Sequence, residues 1–518
     1  MPRKPKPKNT LSAGQRAALY EQEQQRRLSE LSSEGKTVSE KTVLEQTEGQ
    51  VEPIIAEKPV VKKNKEKPQI ATVRVNLDAI GGKINSLHGA CNGPLSQCAD
   101  ISPLLKKAKV PYIRFDKTEG ARSGYVLDIS KIFPNFEADE RDPKNYFFRE
   151  TDKYILAAAN TGAQIIYRLG ESFDFDTPEH KLTLPENLDK LTAICVNIIR
   201  HYNDYFCGGF ALGIRYFEIF SHVDMQSVRQ NNTDTQIFEL YSRIANGIKL
   251  YDGTLKVGGM GFSSCGQFLR DFIKYCKKKN TPVDFVSISL YASSPEDMGE
   301  EIEKYLGVLK NSGYADAELI ACEWAYLPES QSKQKALAIM NSVSSDTGAE
   351  RKEIFDKQRS IEGAAFVASG LLKMLEYPEI KGACLYNAES GSRWCSICDS
   401  FGLPRKPYFA LESFAMLARA DESLICISEQ SVDFAHTGVY AAAARSEDGV
   451  YIMLSAFDGC TSIDLRLDNI PDNFYTADIY MLDGVKNMEL CHTIQLSGMK
   501  KRMLLSVSPY SVVLIKIY

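Results

Sequence analysis

The chain has 518 residues, of which 44% are hydrophobic and 25% are charged, and its formal net charge is −5. These proportions are typical of a soluble globular protein, and the length favours two or three domains. The negative charge argues against a general nucleic-acid-binding protein. The basic start MPRKPKPKNT is followed by no apolar run, so the sequence predicts neither a signal peptide nor a membrane-spanning segment.

Residues 1–70 differ in composition from the rest of the chain. Their only aromatic residue is Tyr20, and 14 Lys and Arg stand against ten Glu. Such a segment cannot bury enough apolar surface to offset its ordering entropy, so we predict a disordered basic tail. Within it, SAGQRAALYEQEQQRRLSELSSEG is compatible with one charged helix capped by Ser12. VVKKNKEKP is more typical of a solvated linker than of a site for an acidic partner, and the partner of the tail is unknown.

Strand-like and helix-like segments alternate from about residue 84 to 418. The eight strand-like runs are INSLHGA (84–90), VPYIRFD (110–116), QIIYRL (164–169), IRYFEIF (214–220), LKVGGMG (255–261), VDFVSISLY (283–291), ELIACEW (318–324) and KGACLYNA (381–388). Eight strands alternating with helices predict an α/β protein with a (β/α)8 TIM barrel over residues 71–418. A doubly wound open sheet is the main alternative, but no GxGxxG follows the first strand.

The pattern changes after residue 418 to short alternating strands separated by turn residues, as in SIDLRLDNI and YTADIYML. It predicts a C-terminal antiparallel β-sandwich over residues 419–518. The segment ATVRVNLDAIGGKI, just before the barrel, also has strand character, and residues 71–83 are compatible with strands of that sandwich.

Thirteen cysteines are scattered along the chain, and Cys395 and Cys398 form its one CxxC pair, in RWCSICD. We interpret this pair as loop thiols in a reducing compartment, which favours a cytoplasmic location. The six histidines are dispersed and the acidic run NFEADERDP lacks calcium-loop spacing, so we expect no metal site and no cofactor.

In a (β/α)8 barrel the active site lies at the C-terminal ends of the strands. The polar and aromatic residues at those ends are Arg114, Asp116, Arg168, Glu171, Ser221, His222, Ser289, Tyr291, Glu323, Tyr386, Asn387 and Glu389. Trp324 and Trp394 also fall there, and a tryptophan at a barrel mouth suits stacking against a sugar, although many tryptophans are simply core residues.

Glu323 is the strongest candidate, because it interrupts the apolar strand LIACEWAYLP. A buried carboxylate is costly unless it is paired or functional. A structural salt bridge to Arg114 or Arg168 is the alternative explanation.

Several segments resemble the family 39 glycoside hydrolases, retaining (β/α)8 enzymes that include β-xylosidases and α-L-iduronidases. Among them are ICVNIIRHYND, LYSRIANGIKLYDGTLKVGG, EWAYLP and FGLPRKPYFALESFAML, and the resemblance covers residues 84–518. It implies that Glu323, in CEW, is the nucleophile. The family pattern aromatic-Glu-Ile/Val-Trp-Asn-Glu-Pro-Asp falls on YFEIFSHVD, which places His222 at the acid/base position and Ser221 at the Asn position.

Other positions also depart from the family. Ser289 stands where a histidine is frequent, Ala325 follows Trp324 where asparagine is frequent, and Asn387 replaces the Asp of Tyr-Asp-Ala. These changes converge on one place while the scaffold persists, which is the pattern of a barrel that has lost or rebuilt its chemistry.

Retaining hydrolysis needs two carboxyl groups roughly 5–5.5 Å apart. His222 is a chemically sound replacement acid, with Asp224 near enough in sequence to orient it, whereas Glu218 is a weaker substitute. Three interpretations stand: a glycosidase of altered or weak activity on small xyloside-like or uronide-like substrates, a non-catalytic carbohydrate-binding protein, or an interaction scaffold.

Overall fold

The computed structural model describes residues 70–116, 125–172, 182–229, 232–328, 333–342, 344–429, 438–457, 462–470, 476–496 and 500–518. The predicted basic tail lies outside these ranges except for Ile70. In the described ranges, no helix combines the length and the apolar character that crossing a membrane requires.

Eight parallel strands close into a barrel in which neighbours in the chain are neighbours in space. A strand outside the barrel, β1 (Ile70–Gly82), precedes them. The barrel strands are β2 (His88–Cys91), β3 (Tyr112–Phe115), β4 (Gln164–Leu169), β5 (Tyr216–Ile219), β6 (Lys256–Phe262), β7 (Phe285–Ala292), β8 (Glu318–Tyr326) and β9 (Ile380–Tyr386). Each overlaps one of the eight predicted runs, so the structure confirms the predicted TIM barrel.

Helices connect the barrel strands and cover the barrel. In the described part of the chain they are Ser102–Lys107, Ile129–Ile132, Arg149–Ala159, Leu188–Asn203, Gln226–Arg229, Asp234–Tyr251, Gln267–Lys279, Pro295–Lys310, Lys333–Asn341, Gly348–Arg359, Ile361–Met374 and Lys406–Ala418, with short 3-10 turns at Pro143–Asn145 and Phe206–Gly208.

The helix Asp234–Tyr251 shows how the sequence sets these elements. Thr233 and Gln236 form a reciprocal capping box at its start, which satisfies backbone N–H groups that the first turn leaves free. Its side chains at helical spacing, among them Ile237, Ile244 and Ile248, are fully buried against the barrel.

The C-terminal region forms one curled sheet together with β1. Its other strands are β10 (Glu422–Glu429), β11 (Gly438–Ser446), β12 (Gly449–Phe457), β13 (Ser462–Asp468), β14 (Thr476–Leu482), β15 (Asn487–Gln495), β16 (Lys500–Ser506) and β17 (Val512–Ile517). Hydrogen bonds join the nine strands in the order β15-β14-β17-β12-β11-β10-β1-β13-β16. β1 lies antiparallel to β10 and parallel to β13.

The curl follows from which side chains share a core. Leu465 of β13 and Ile479 of β14 belong to the same buried cluster although their strands lie near opposite ends of the strand order. The sheet therefore folds over its own apolar face. Its other face packs on the helix Ile361–Met374, where Ser455 Oγ donates to the Ala365 carbonyl oxygen at 3.1 Å.

Trp324 belongs to the packing between the barrel and that helix. Its side chain is fully buried beside Phe366, with the ring centroids 6.0 Å apart. A Cβ atom added at Gly370 would come within 3.0 Å of the indole, so the glycine makes room for the ring. Because side chains alternate along a strand, Trp324 points out of the barrel while its neighbour Glu323 points in.

Replacing Trp324 with alanine is expected to lower the free energy of unfolding by roughly 3–5 kcal/mol, because it empties a packed core position. The measurement is urea unfolding followed by circular dichroism. Phe401→Ala is the control, since Phe401 is 82% exposed and its loss should change stability by less than about 0.5 kcal/mol. Equal effects of the two changes would contradict the described packing.

Candidate active site

Arg114, at the end of β3, is the centre of a buried hydrogen-bonded cluster. Its fully buried guanidinium donates from Nε to Glu218 Oε2 at 2.8 Å, from Nη1 to Glu323 Oε1 at 2.7 Å and from Nη2 to Ser221 Oγ at 2.8 Å. Asp116 Oδ1 lies 3.3 Å from Nη2. One side chain thus joins the ends of β3, β5 and β8.

Glu323 receives hydrogen bonds on both carboxylate oxygens. Oε1 lies near Arg114 and 3.3 Å from His222 Nε2, while Oε2 accepts from the Tyr291 hydroxyl at 2.9 Å. Burial acts to raise the pKa of Glu323, but His222, Arg114 and the Tyr291 hydrogen bond outweigh it and hold the pKa below its ordinary value. Glu323 is therefore a carboxylate at neutral pH. The salt bridge to Arg114, which is the alternative explanation for an acid in this apolar strand, is present.

His222 contacts the nucleophile candidate directly. Nε2 faces Glu323, and Nδ1 lies 3.1 Å from Ser263 Oγ in the loop after β6. Burial acts to lower the pKa of His222, but the charge and hydrogen bond of Glu323 raise it above 6.5. Asp224 Oδ2 accepts hydrogen bonds from the backbone N–H groups of Ser263 and Ser264 at 3.0 and 3.1 Å. Because Ser263 contacts His222, Asp224 helps to position the histidine through this loop.

The turn that carries His222 has an unusual backbone. Phe220 and His222 both have positive φ, 59° and 55°, on either side of Ser221. Non-glycine residues seldom adopt this conformation, and it recurs at functional sites. The close approach of Gly261 accommodates the turn, since a Cβ atom there would lie 2.1 Å from Ser221 Oγ.

Arg168, at the end of β4, supports the cluster from one side. Its Nε donates to the Asp116 carbonyl oxygen at 3.1 Å, and its Nη2 donates to Asp128 Oδ1 at 2.9 Å and to Ser172 Oγ at 2.7 Å. The carboxylate of Glu171 accepts hydrogen bonds from the backbone N–H and the hydroxyl of Ser130. Burial and the charge of Asp128 raise the pKa of Glu171 to about 7.

Three aromatic side chains meet beside Glu323. Trp394 lies edge-on to Tyr291 and Tyr386, with ring centroids 5.9 and 5.5 Å away. Burial and the Glu323 carboxylate raise the pKa of Tyr291, so its hydroxyl stays protonated and donates. Trp324 is not in this group, because it points into the core outside the barrel.

The inward face of β7 shows what the sequence interpretation missed. Ser287, Ser289 and Tyr291 share that face, at alternate positions. Ser287 Oγ donates to Glu218 Oε1 at 2.6 Å. The sequence signal for this contact is that Ser287 lies two residues before Ser289 and therefore on the same face of the strand. Ser289 Oγ is buried and has no hydrogen-bond partner among the residues that the structure describes.

Asn387 lies in the loop after β9 and bonds within that loop. Its amide contacts Ser392 Oγ at 3.2 Å, and its oxygen accepts from the Glu389 backbone N–H at 3.1 Å. Both of these contacts join Asn387 to described residues of its own loop, so they hold that loop together.

Asp116, His222 and Glu323 are the one group of described residues with the chemistry and spacing of metal ligands, and their ligand atoms lie within 4.8 Å of one another. Arg114, however, already contacts both carboxylates. A divalent ion here would face the guanidinium charge at close range.

Sequence comparison matches residues 179–305, which include the turn at His222, to glycosyl hydrolases family 39. This part of the chain is therefore similar to the family 39 glycoside hydrolases. A β-xylosidase of Geobacillus stearothermophilus is 24% identical over 164 residues, which are 28% of this chain and 32% of that protein. The matched part thus spans about a third of the curated relative. These matches confirm the resemblance inferred from the motifs.

Solved structures share the fold over most of the chain. A glucosidase from Croceicoccus marinus superposes with a TM-score of 0.70 at 21% identity, covering 86% of this chain and 99% of the other. A GH39 enzyme from Xanthomonas axonopodis pv. citri gives 0.65 at 14% identity, covering 88% and 99%. A monomeric β-xylosidase from Caulobacter crescentus CB15 gives 0.62 at 14% identity, covering 86% and 99%.

Removing the Arg114 cation is expected to destabilise the fold strongly. Arg114→Leu leaves Glu218 and Glu323 buried without their cation, which should cost roughly 3–5 kcal/mol of unfolding free energy. Arg74→Leu is the control, because Arg74 and its partner Glu429 are 44% and 49% exposed, so the change should cost less than about 1 kcal/mol. Chemical unfolding measures both, and similar losses would contradict the central role of Arg114.

The His222–Glu323 contact predicts how stability depends on pH. Because the pKa of His222 is raised in the folded state, its contribution is complete below its ordinary value of 6.5 and is lost as pH rises through the folded value. The melting-temperature gap between the wild type and His222→Gln should therefore be largest near about pH 6 and shrink toward about pH 9. His492→Gln, in β15 outside the barrel, is the control, and a gap that widens with pH would refute the ion pair.

Proposed function

We propose that this chain is a glycosidase-like protein with altered, weak activity on O-glycosidic bonds of small neutral xyloside-like substrates. Glu323 is the nucleophile and His222 stands in the acid/base position. The observation that carries the proposal is the Glu323 carboxylate, ionised and oriented by Arg114 and Tyr291 at the C-terminal end of a barrel strand.

The surroundings of Glu323 suit attack on a sugar C1 atom. A nucleophilic carboxylate must be ionised, and the depressed pKa of Glu323 supports that state at neutral pH. The donors from Arg114 and Tyr291 fix its orientation, which is how a positioned group lowers the entropic part of a barrier.

The weakness lies in the proton donor. Two carboxyl groups roughly 5–5.5 Å apart leave room for the glycosidic oxygen in a retaining enzyme, whereas His222 Nε2 lies 3.3 Å from Glu323 Oε1. The imidazolium therefore bonds to the nucleophile rather than to a leaving oxygen. Loss of acid assistance typically costs about 10²–10⁴-fold in rate.

Charge favours a neutral sugar over a uronic acid. Asp116, Glu218 and Glu323 surround Arg114 and His222, so one negative charge is in excess even when both cations are charged. A substrate carboxylate would meet like charge there. The aromatic group of Tyr386 and Trp394 offers apolar faces of the kind that stack on sugar C–H surfaces.

A carbohydrate-binding protein without turnover is the second candidate. The same His222–Glu323 contact favours it, because both oxygens of Glu323 already have donors. In that role the interior cluster holds the mouth in shape while the sugar lies above it.

Aryl xylosides with leaving groups of different quality separate the two functions. A dinitrophenyl group departs without acid assistance, so dinitrophenyl xyloside should be cleaved, whereas the unsubstituted phenyl xyloside, which has a poor leaving group, should not. Glu323→Gln should abolish dinitrophenol release, because it removes the nucleophile. The measurement is the absorbance of released dinitrophenolate.

Glu318→Gln is the matched control, since Glu318 lies at the opposite end of β8 and pairs with Lys256. It should leave release unchanged. Cleavage of both leaving groups, lost in His222→Ala, would establish His222 as a working acid. No release, with xylose-type ligands still bound, would establish the binding protein for the sugars tested.

A further inference from the structure

Two cysteine thiols lie in contact in the loop that follows β9. The Sγ atoms of Cys395 and Cys398 are 3.4 Å apart, both cysteines are free, and both are buried. A disulfide bond has an S–S length of about 2.05 Å, so the two sulfur atoms are about 1.4 Å from bonding distance.

The surroundings make the two thiols unequal. The hydrogen bond from Cys398 and the charge of Arg405 lower the pKa of Cys395, against the opposing effect of burial. The hydrogen bond to Cys395 and burial raise the pKa of Cys398. Since the thiolate is the reactive form of cysteine, Cys395 is the member that reacts first.

The loop around the pair is already closed by backbone contacts. Arg405 Nη1 donates to the Cys395 carbonyl oxygen at 2.9 Å, and the Arg405 backbone N–H donates to the Ile397 carbonyl oxygen at 2.8 Å. Cys398 forms an isolated β-bridge with Pro404. A covalent link between the sulfur atoms would therefore join two positions that are held together before it forms.

Trp394 connects the pair to the candidate active site. It precedes Cys395 in the chain, and its ring packs edge-on against Tyr291, the hydrogen-bond donor to Glu323. A backbone adjustment at Cys395 is thus passed to a side chain at the barrel mouth.

We propose that Cys395 and Cys398 form a reversible disulfide bond that resets the position of Trp394 at the barrel mouth. The oxidant is a peroxide, because thiols with this little exposure favour a small reagent. The proposal concerns the thiol pair and holds or fails independently of turnover by Glu323.

The chemistry balances in two steps. The Cys395 thiol loses its proton, and the thiolate attacks one oxygen of hydrogen peroxide. The O–O bond breaks, Cys395 becomes a sulfenic acid, and the departing hydroxide takes up the released proton to form water. The Cys398 thiol then attacks that sulfur, the S–O bond breaks, and water leaves with the thiol proton. The two thiols are oxidised to one disulfide, and the peroxide is reduced to two molecules of water.

Peptide mapping of the full chain after mild peroxide treatment tests the bond. We expect a linked Cys395–Cys398 peptide and the loss of two of the thirteen thiols, both reversed by dithiothreitol. Cys398→Ser should lack the link. Cys98→Ser, which removes an exposed thiol packed against Gly391 of the same loop, should form it like the wild type.

Free thiols at both positions, with Cys98 oxidised, would overturn the proposal. If Cys398→Ser fails to fold, alkylation of the unaltered chain in denaturant after peroxide treatment provides a second measurement, because denaturation exposes both sulfur atoms. Protection of Cys395 and Cys398 that dithiothreitol removes supports the pair, and alkylation of both thiols without dithiothreitol contradicts it.

Tryptophan fluorescence tests the movement of Trp394. The chain has two tryptophans, so Trp324→Phe leaves Trp394 as the single reporter. We expect its emission to shift with peroxide, to return with dithiothreitol and to stay constant when Cys398→Ser is added. A linked peptide with unchanged emission would overturn the coupling to Trp394.

Discussion

The buried guanidinium of Arg114 is the interaction on which the barrel mouth depends. Glu218 and Glu323 are like charges placed in a medium of low dielectric, and the cation between them offsets their mutual repulsion and their lost hydration. Each nitrogen of the guanidinium reaches a different partner, so the charge also fixes geometry. The ends of β5 and β8, which carry the proposed acid/base position and the proposed nucleophile, are held at one distance by one side chain.

That same arrangement bears on the proposed acid/base position, where His222 aligns with the glutamic acid of the family pattern. A nucleophilic carboxylate and a protonated acid/base carboxyl roughly 5–5.5 Å apart leave a gap in which a glycosidic oxygen fits. An imidazolium and a carboxylate attract, and the gap closes to 3.3 Å. With His222 at this position, the proposed acid and the proposed nucleophile are bonded to each other instead of being held apart. Arg114 and Tyr291 also donate hydrogen bonds to Glu323.

Much of this organisation was predictable from the sequence, for physical reasons. Buried parallel strands appear in the sequence as apolar runs, so all eight barrel strands were predicted to within a few residues. Because barrel active sites lie at the C-terminal ends of the strands, Glu323 and His222 were predicted to lie on the same face of the barrel. The alternation of side chains along β8 was also available: with Glu323 pointing in, Trp324 has to point out.

Other features carry no sequence signal. Phe220 and His222 adopt positive φ, a conformation that their residue types do not indicate, and the histidine partner Ser263 lies in a loop about 40 residues away in the chain. The distance between His222 and Glu323 depends on both, so it could not be obtained from motif spacing.

The position of β1 has a consequence for how the chain is made. Arg74 of β1 pairs with Glu429 of β10, 355 residues later. At synthesis rates of about 5–20 residues per second, the first strand leaves the ribosome roughly 20–70 s before its neighbours exist. During that interval the whole barrel is translated, and the backbone groups on both edges of β1 have no partner strand. The nascent chain therefore needs either slow, late docking of β1 or a chaperone that shields it.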